Sequence, residues 1–176
     1  IVDAITQSAN TLDFAPSFQY ANPAAFELAS RISSLTPDPL NRIFFTNSGS
    51  EANDTQIKIV WYYNNALGRP EKKKIIGRHK AYHGITLAAA SLSGVEYAHK
   101  GFDVPLDRFL HARTPHFWRE GLDGESEDEF STRLAQELDD MIVGEGPETV
   151  AAFIAEPVMG AGGLITPPTG YFQKIQ

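Results

Sequence analysis

Apolar positions in this chain fall into short runs that alternate with longer stretches of helical spacing. Ala25, Leu28, Ala29, Ile32 and Leu35 recur every three or four residues, which places them on one face of a helix. Asn22 supplies an N-cap, Pro23 fits the first helical position, and Pro37 and Pro39 bar its continuation. Ile43-Phe44-Phe45 is expected to form a brief strand. Ser48-Gly49-Ser50-Glu51 then carries a Ser-x-x-Glu capping pattern into a helix through Ala52, Ile57, Val60 and Tyr63, which Gly68 and Pro70 stop.

Lys74-Ile75-Ile76-Gly77 suits another strand, and the turn Tyr82-His83-Gly84 feeds a short helix from Leu87 to Leu92. Residues 93–124, with Pro105 and Pro115, read as loop around one strand at Phe109-Leu110-His111. A long helix is expected from about Glu127 to Val143, with Phe130, Leu134, Leu138, Met141 and Ile142 at helical spacing and Gly144 and Pro147 closing it. Val150-Ala151-Ala152-Phe153-Ile154-Ala155 is apolar without alternation, so both of its faces must be covered, and we expect it to be a central strand of a parallel sheet. Tyr171 to Gln176 reads as the opening turn of a helix. Strands alternating with helices predict an α/β fold, three-layer α/β/α with a mostly parallel central sheet.

Composition narrows the functional classes. At 176 residues and 42% hydrophobic side chains, the length suits one ordinary domain with a sizeable core. The net charge of −7 is spread out and Lys72-Lys73-Lys74 is the largest basic cluster, so nucleic acid is not an expected partner. No stretch reaches the ~18 apolar residues needed to cross a bilayer, and no signal-peptide pattern opens the chain. The absence of cysteine removes disulfides, thiolate nucleophiles and Cys-based zinc sites, and fits a cytoplasmic enzyme. The lack of an initiator Met and the abrupt C-terminus lead us to expect a fragment.

Three segments carry candidate chemistry. The first is Asn47-Ser48-Gly49-Ser50-Glu51, where a helix N-terminus offers unpaired N–H groups and the positive end of the macrodipole to a phosphate. By itself the pattern more often marks a plain capped turn, and no Gly-Lys-Ser/Thr follows to make it a P-loop. The second is Ala81-Tyr82-His83-Gly84, just beyond a strand at the edge where α/β ligands bind; Tyr82 could stack on a flat heteroaromatic ring or simply pack on a loop. His83 lacks the positioned partner that a general base needs. The third is Glu156-Pro157-Val158 followed by Gly160, Gly162 and Gly163; its carboxylate must meet a cation or a ligand, or point into solvent. Glu125, Glu127, Asp128 and Glu129 complement a helix N-terminus.

Taken together and in this order, Asn47-Ser48-Gly49-Ser50-Glu51-Ala52-Asn53-Asp54, Ala81-Tyr82-His83-Gly84 with Thr86, and Ala155-Glu156-Pro157-Val158 with Gly162-Gly163 closely resemble the class III aminotransferases, over nearly the whole chain. Phe18-Gln19-Tyr20 through Phe26-Glu27-Leu28-Ala29, and His116-Phe117-Trp118-Arg119, resemble the omega-amino acid–pyruvate branch. The resemblance implies the large-domain fold of fold type I enzymes dependent on pyridoxal 5'-phosphate (PLP), with residues 1–176 forming part of that domain and the small C-terminal domain and an N-terminal segment lying outside it. It implies that Ser48, Gly49 and Ser50 hold the PLP phosphate, that Tyr82 stacks on the pyridine ring with His83 beside it, and that Glu156 lies beneath the cofactor and can pair with a distal Arg.

That Arg, the Asp that meets the pyridine nitrogen and the Schiff-base lysine are expected outside this chain. Lys58, Lys72, Lys73, Lys74, Lys80, Lys100 and Lys174 all match other parts of the family pattern, so no catalytic lysine is assigned and the 176 residues alone are not expected to transaminate. The implied reaction is a ping-pong transfer from an amine or omega-amino acid to a keto acid such as pyruvate, in a homodimeric parent. Aminomutase or decarboxylase chemistry on the same cofactor is the alternative, as is an inactive cofactor-binding fragment.

Overall fold

The computed structural model describes residues 1–16 and 18–176, which divide into two compact units, Ile1–Phe45 and Thr46–Gln176. The first holds helices α1 (Val2–Thr11) and α2 (Pro23–Ser33). The Asn22 side chain caps α2 by accepting from the Ala24 N–H at 2.9 Å, with Pro23 at the first position. The expected strand at Ile43–Phe45 does not form. Three apolar residues make a strand only where a partner strand takes their N–H and C=O groups, and here the segment is unpaired among the described residues.

The second unit contains α3 (Gly49–Ala66), β1 (Lys74–Arg78), α4 (Leu87–Leu92), β2 (Phe109–Ala112), α5 (Phe117–Glu120), α6 (Glu127–Glu145), β3 (Val150–Phe153) and α7 (Tyr171–Ile175). The loop expected over 93–124 thus contains one short helix, α5, and a single 3-10 turn at Glu96–Ala98, besides its strand. The strands are parallel, in the order β2-β1-β3. Neighbours on β1 point to opposite faces. Ile75 packs with Ile57 of α3, Leu92 of α4 and Phe109, whereas Ile76 packs with Leu138 of α6, Ala112 and Val150. Helices therefore cover both faces, and the unit is an α/β sandwich of three layers. Ile76, with no exposed surface, illustrates the driving force, since burying one such side chain is worth about 1.5–3 kcal/mol.

β3 departs from expectation in one respect. It is parallel, but it lies at an edge of the described sheet and not at its centre, which β1 occupies. The uniform apolar run had a different cause. Ala152 and Ile154 join the α3-side cluster and Val150 and Phe153 the α6-side cluster, so both faces are covered although one backbone edge is not paired among the described residues. The register steps from Lys74↔Val150 to Ile75↔Ala152, a bulge that leaves Ala151 unopposed and lets Val150 and Phe153 share a face.

α6 begins with a complete capping box: Ser126 Oγ accepts from the Glu129 N–H and the Glu129 carboxylate accepts from the Ser126 N–H at 2.8 Å. Phe130, Leu134 and Leu138, four residues apart, form its buried stripe. Among the described residues, no helix is long and apolar enough to cross a membrane.

Candidate functional site

All three segments singled out in the sequence meet at the carboxyl ends of the parallel strands, and hydrogen bonds join them in pairs. At the start of α3 the Ser48 hydroxyl accepts from the Glu51 N–H at 3.2 Å. The reciprocal half of the expected box is displaced by one residue, because the Glu51 carboxylate takes the N–H of Asn47 at 2.8 Å. The first intrahelical bond runs from the Ala52 N–H to the Ser48 carbonyl, which leaves the Gly49 and Ser50 N–H groups without an intrahelical partner. A Cβ built on Gly49 would meet nothing within 4 Å, so the space beside Gly49 is open.

Ser50 Oγ accepts from the Ile85 N–H at 3.0 Å, and its own hydrogen remains free to donate. Gly84 makes that contact geometrically possible. Its φ is +126°, and a Cβ there would lie 2.5 Å from Ser50 Oγ. Asn53 Nδ2 donates to the His83 carbonyl at 2.6 Å. Asp54 accepts from the Thr86 hydroxyl at 2.8 Å and from the Ala89 N–H at 3.2 Å, supplying from α3 the anion that the N-terminus of α4 favours.

On the other side, the Glu156 carboxylate accepts from the Tyr82 N–H at 3.0 Å and from the Gly160 N–H at 3.2 Å. Among the described residues no cationic side chain pairs with the Glu156 carboxylate, which ties the Tyr82 turn to the glycine loop after β3. Tyr82 remains 39% exposed.

The His83 ring is buried, and its Nε2 has no partner among the described residues. Burial is the main cause that lowers its pKa below the ordinary imidazole value; the charge of Glu156 opposes this, and Arg78 and His111 reinforce it. The ring is therefore held neutral. Its N–H on the main chain donates to Ser93 Oγ at 2.7 Å. The Ser93 carbonyl in turn receives His99 Nε2 at 2.6 Å and His111 Nε2 at 3.0 Å. A carbonyl only accepts, so both rings carry their hydrogen on Nε2. Burial, then the neighbouring His79 and His99 rings, lower the pKa of His111.

The positions of the lysines are also informative. Lys72, Lys73 and Lys74 lie at the entry of β1, the end opposite Tyr82, and are tied to the Pro147 carbonyl, to Asn65 and to Glu145. Lys174 is bonded to Thr132 and Asp128. A wide cleft of about 1200 Å³ lined by His79, Lys80, Gly94, His111, Arg113 and Gly162 does not include Ser50 or Tyr82, and its Arg113 is already paired with Glu120 and Glu137. Sequence reasoning passed over Arg78, Ser93 and Gly94. Arg78 and Gly94 sit beside the segments that were singled out, but no local pattern marks an Arg at the end of a strand as buried.

The family model for Aminotransferase class-III matches residues 1–176. The chain belongs to the class-III aminotransferase family. It is 58% identical to the mitochondrial gamma aminobutyrate transaminase 1 of Solanum lycopersicum, over all of this chain and 35% of that protein. It is 55% identical to the vanillin aminotransferase of Capsicum frutescens, over all of this chain and 39% of that protein. The crystal structure of the omega transaminase from Pseudomonas jessenii in complex with PMP superposes with a TM-score of 0.97 at 54% identity, covering 99% of this chain and 39% of that one. The chain thus spans well under half the length of these relatives.

Proposed function

We propose that these residues form the phosphate-holding and ring-stacking part of the large domain of a PLP-dependent transaminase, which moves an amino group from an amine or omega-amino acid to a keto acid such as pyruvate. The observation that carries this reading is the convergence at the start of α3. Two N–H groups and one hydroxyl hydrogen without partners among the described residues lie at Gly49 and Ser50, where space is open at Gly49, and Ser50 is bonded to the turn that carries the partly exposed Tyr82. That donor set fits a phosphate, which a helix N-terminus binds without any Lys or Arg.

In this reading the Gly49 and Ser50 N–H groups and the Ser50 hydroxyl hold the phosphate, while Ser48 caps the helix and keeps those donors aimed. Tyr82 offers its ring to a pyridine face. His83, neutral, adds an uncharged wall, and Glu156 holds the Tyr82 backbone in place. When bound, PLP supplies the electron sink that lets an amino group leave one carbon and join another. These residues bind and orient it; the group that moves protons lies elsewhere in the parent protein. We read that parent as a homodimer, a state in which the exposed Ile85, Leu87, Tyr97 and Phe102 would be covered.

The test is to purify the full-length protein with PLP and follow alanine formation from pyruvate with gamma-aminobutyrate and with simple amines as donors, together with the release of carbon dioxide. Alanine formed in step with donor consumption supports the reading. Carbon dioxide release without alanine would replace it with decarboxylation, and absence of bound PLP would remove it.

A further inference from the structure

Arg78 is the last residue of β1, and its side chain is fully buried. Its Nη2 donates to the Glu156 carbonyl at 2.6 Å, and its guanidinium lies 5.8 Å from the centre of the Tyr171 ring. Nε and Nη1, equally buried, have no acceptor among the described residues. A buried cation without a carboxylate is costly, and an apolar side chain of similar volume would fill the same space without that cost. Among the described residues its one hydrogen bond falls on a residue of the site, and the Tyr171 side chain is its other polar neighbour.

Glu156 is held at both ends. Arg78 fixes its carbonyl, and from the same residue the carboxylate reaches the N–H groups of Tyr82 and Gly160. The exit of β1 thus grips the exit of β3, which grips the Tyr82 turn. Tyr82 itself makes no other hydrogen bond among the described residues: its neighbours Ala81 and His83 are held by Gly94 and Ser93, and its own N–H is committed to Glu156.

We propose that Arg78 is a positioning residue: by holding the Glu156 carbonyl, its buried guanidinium sets where the Glu156 carboxylate takes the Tyr82 N–H, and so fixes the plane in which Tyr82 presents its ring to a flat cofactor. Only the last step rests on the PLP reading.

The experiment compares the full-length protein with Arg78→Met, which keeps the volume and removes the donors, and Arg78→Lys, which keeps the charge and one donor. Three quantities are read: backbone hydrogen exchange at Tyr82 in the cofactor-free protein, the rate of PLP dissociation from the holoenzyme, and the thermal midpoint of the cofactor-free protein. In Arg78→Met, exchange at Tyr82 and PLP release should each rise about tenfold, the scale of one charge-assisted hydrogen bond. The midpoint should stay or rise. Arg78→Lys should restore much of the protection at Tyr82. Wild-type exchange at Tyr82 in Arg78→Met overturns the proposal. So does a lowered midpoint with exchange raised evenly along β1 and β3 and no rescue by lysine, which is what a purely structural role would give. Should Arg78→Met not fold, Arg78→Gln, a neutral donor, takes its place in the same comparison. A wild-type protein that binds no PLP would remove the cofactor reading alone, because exchange at Tyr82 in the cofactor-free protein still decides the role of Arg78.

Discussion

Gly49 and Gly162 stand on two sides of the same site for opposite reasons. Over Gly49 a Cβ would meet nothing within 4 Å, whereas on Gly162 it would overlap the carbonyl oxygen of Lys80. The closed side extends to Gly94, where a Cβ would overlap the Arg78 carbonyl. There glycine lets one backbone segment press on another, so residues 78–84 are held between Gly94 and Gly162, with the Lys80 N–H donating to the Gly94 carbonyl at 2.8 Å. On the open side glycine leaves room for something that is not protein. One residue type thus serves packing on one side and access on the other. A substitution should separate the two: damage to stability on the closed side, damage to ligand retention on the open side.

The largest effect should come from Gly94→Val. Overpacking two backbones at that point should cost about 3 kcal/mol, read as a shift of the urea midpoint in the full-length protein. A cost below about 1 kcal/mol would show that the 78–80 segment yields easily and would weaken the contrast. Next is Tyr82→Ala, which should reduce PLP affinity by about 1–3 kcal/mol, the range of a stacked aromatic, while Tyr82→Phe should change it little. Equal losses measured by cofactor titration would assign the contact to the hydroxyl.

Gly49→Val sharpens the comparison directly. It should lower PLP retention through steric exclusion of the phosphate, yet leave stability within about 0.5 kcal/mol of wild type, as for a surface position without neighbours. A large loss of stability with PLP retained would reverse the assignment of the two sides.

The smallest effect concerns pH. Burial lowers the pKa of both His83 and His111 in the folded protein, so the unfolded chain binds more protons than the folded one as pH falls below about 6.5. The stability they contribute is present above that pH and is lost as pH falls toward their folded values. Thermal midpoints should therefore drop on acidification through this window, and His111→Gln should flatten the drop. An unchanged profile would mean that the buried rings accept protons without opening the turn behind Ser93.

How much of this was legible beforehand depended on the range of the interaction. The N-cap of α2, the limits of α4 and the apolar stripe of α6 follow from neighbours within four residues, and they form where the periodicity places them. The candidate segments around Ser50, Tyr82 and Glu156 were likewise legible as chemistry at the ends of strands. The uniformly apolar run 150–155 was expected to be central, and within the described sheet it lies at an edge, because an apolar run reports that both faces of a strand are covered and says nothing of which strands pair beside it. Ile43–Phe45 was expected to pair and does not.

The sequence by itself determined the α/β alternation, the capped helix starts and the identity of the groups able to meet a phosphate and a flat ring. Only the tertiary structure decided that Ser50 would accept from Ile85, that Glu156 would spend its carboxylate on Tyr82 and Gly160, and that Arg78 would be buried over the Glu156 carbonyl. The partners in these bonds lie 35, 74, 4 and 78 residues apart. The two longest are closed by the parallel sheet, which brings the exits of β1 and β3 side by side whatever their separation along the chain, and the Ser50–Ile85 bond by the packing of α3 against α4. Local propensity acts over a few residues, and strand pairing is indifferent to that distance.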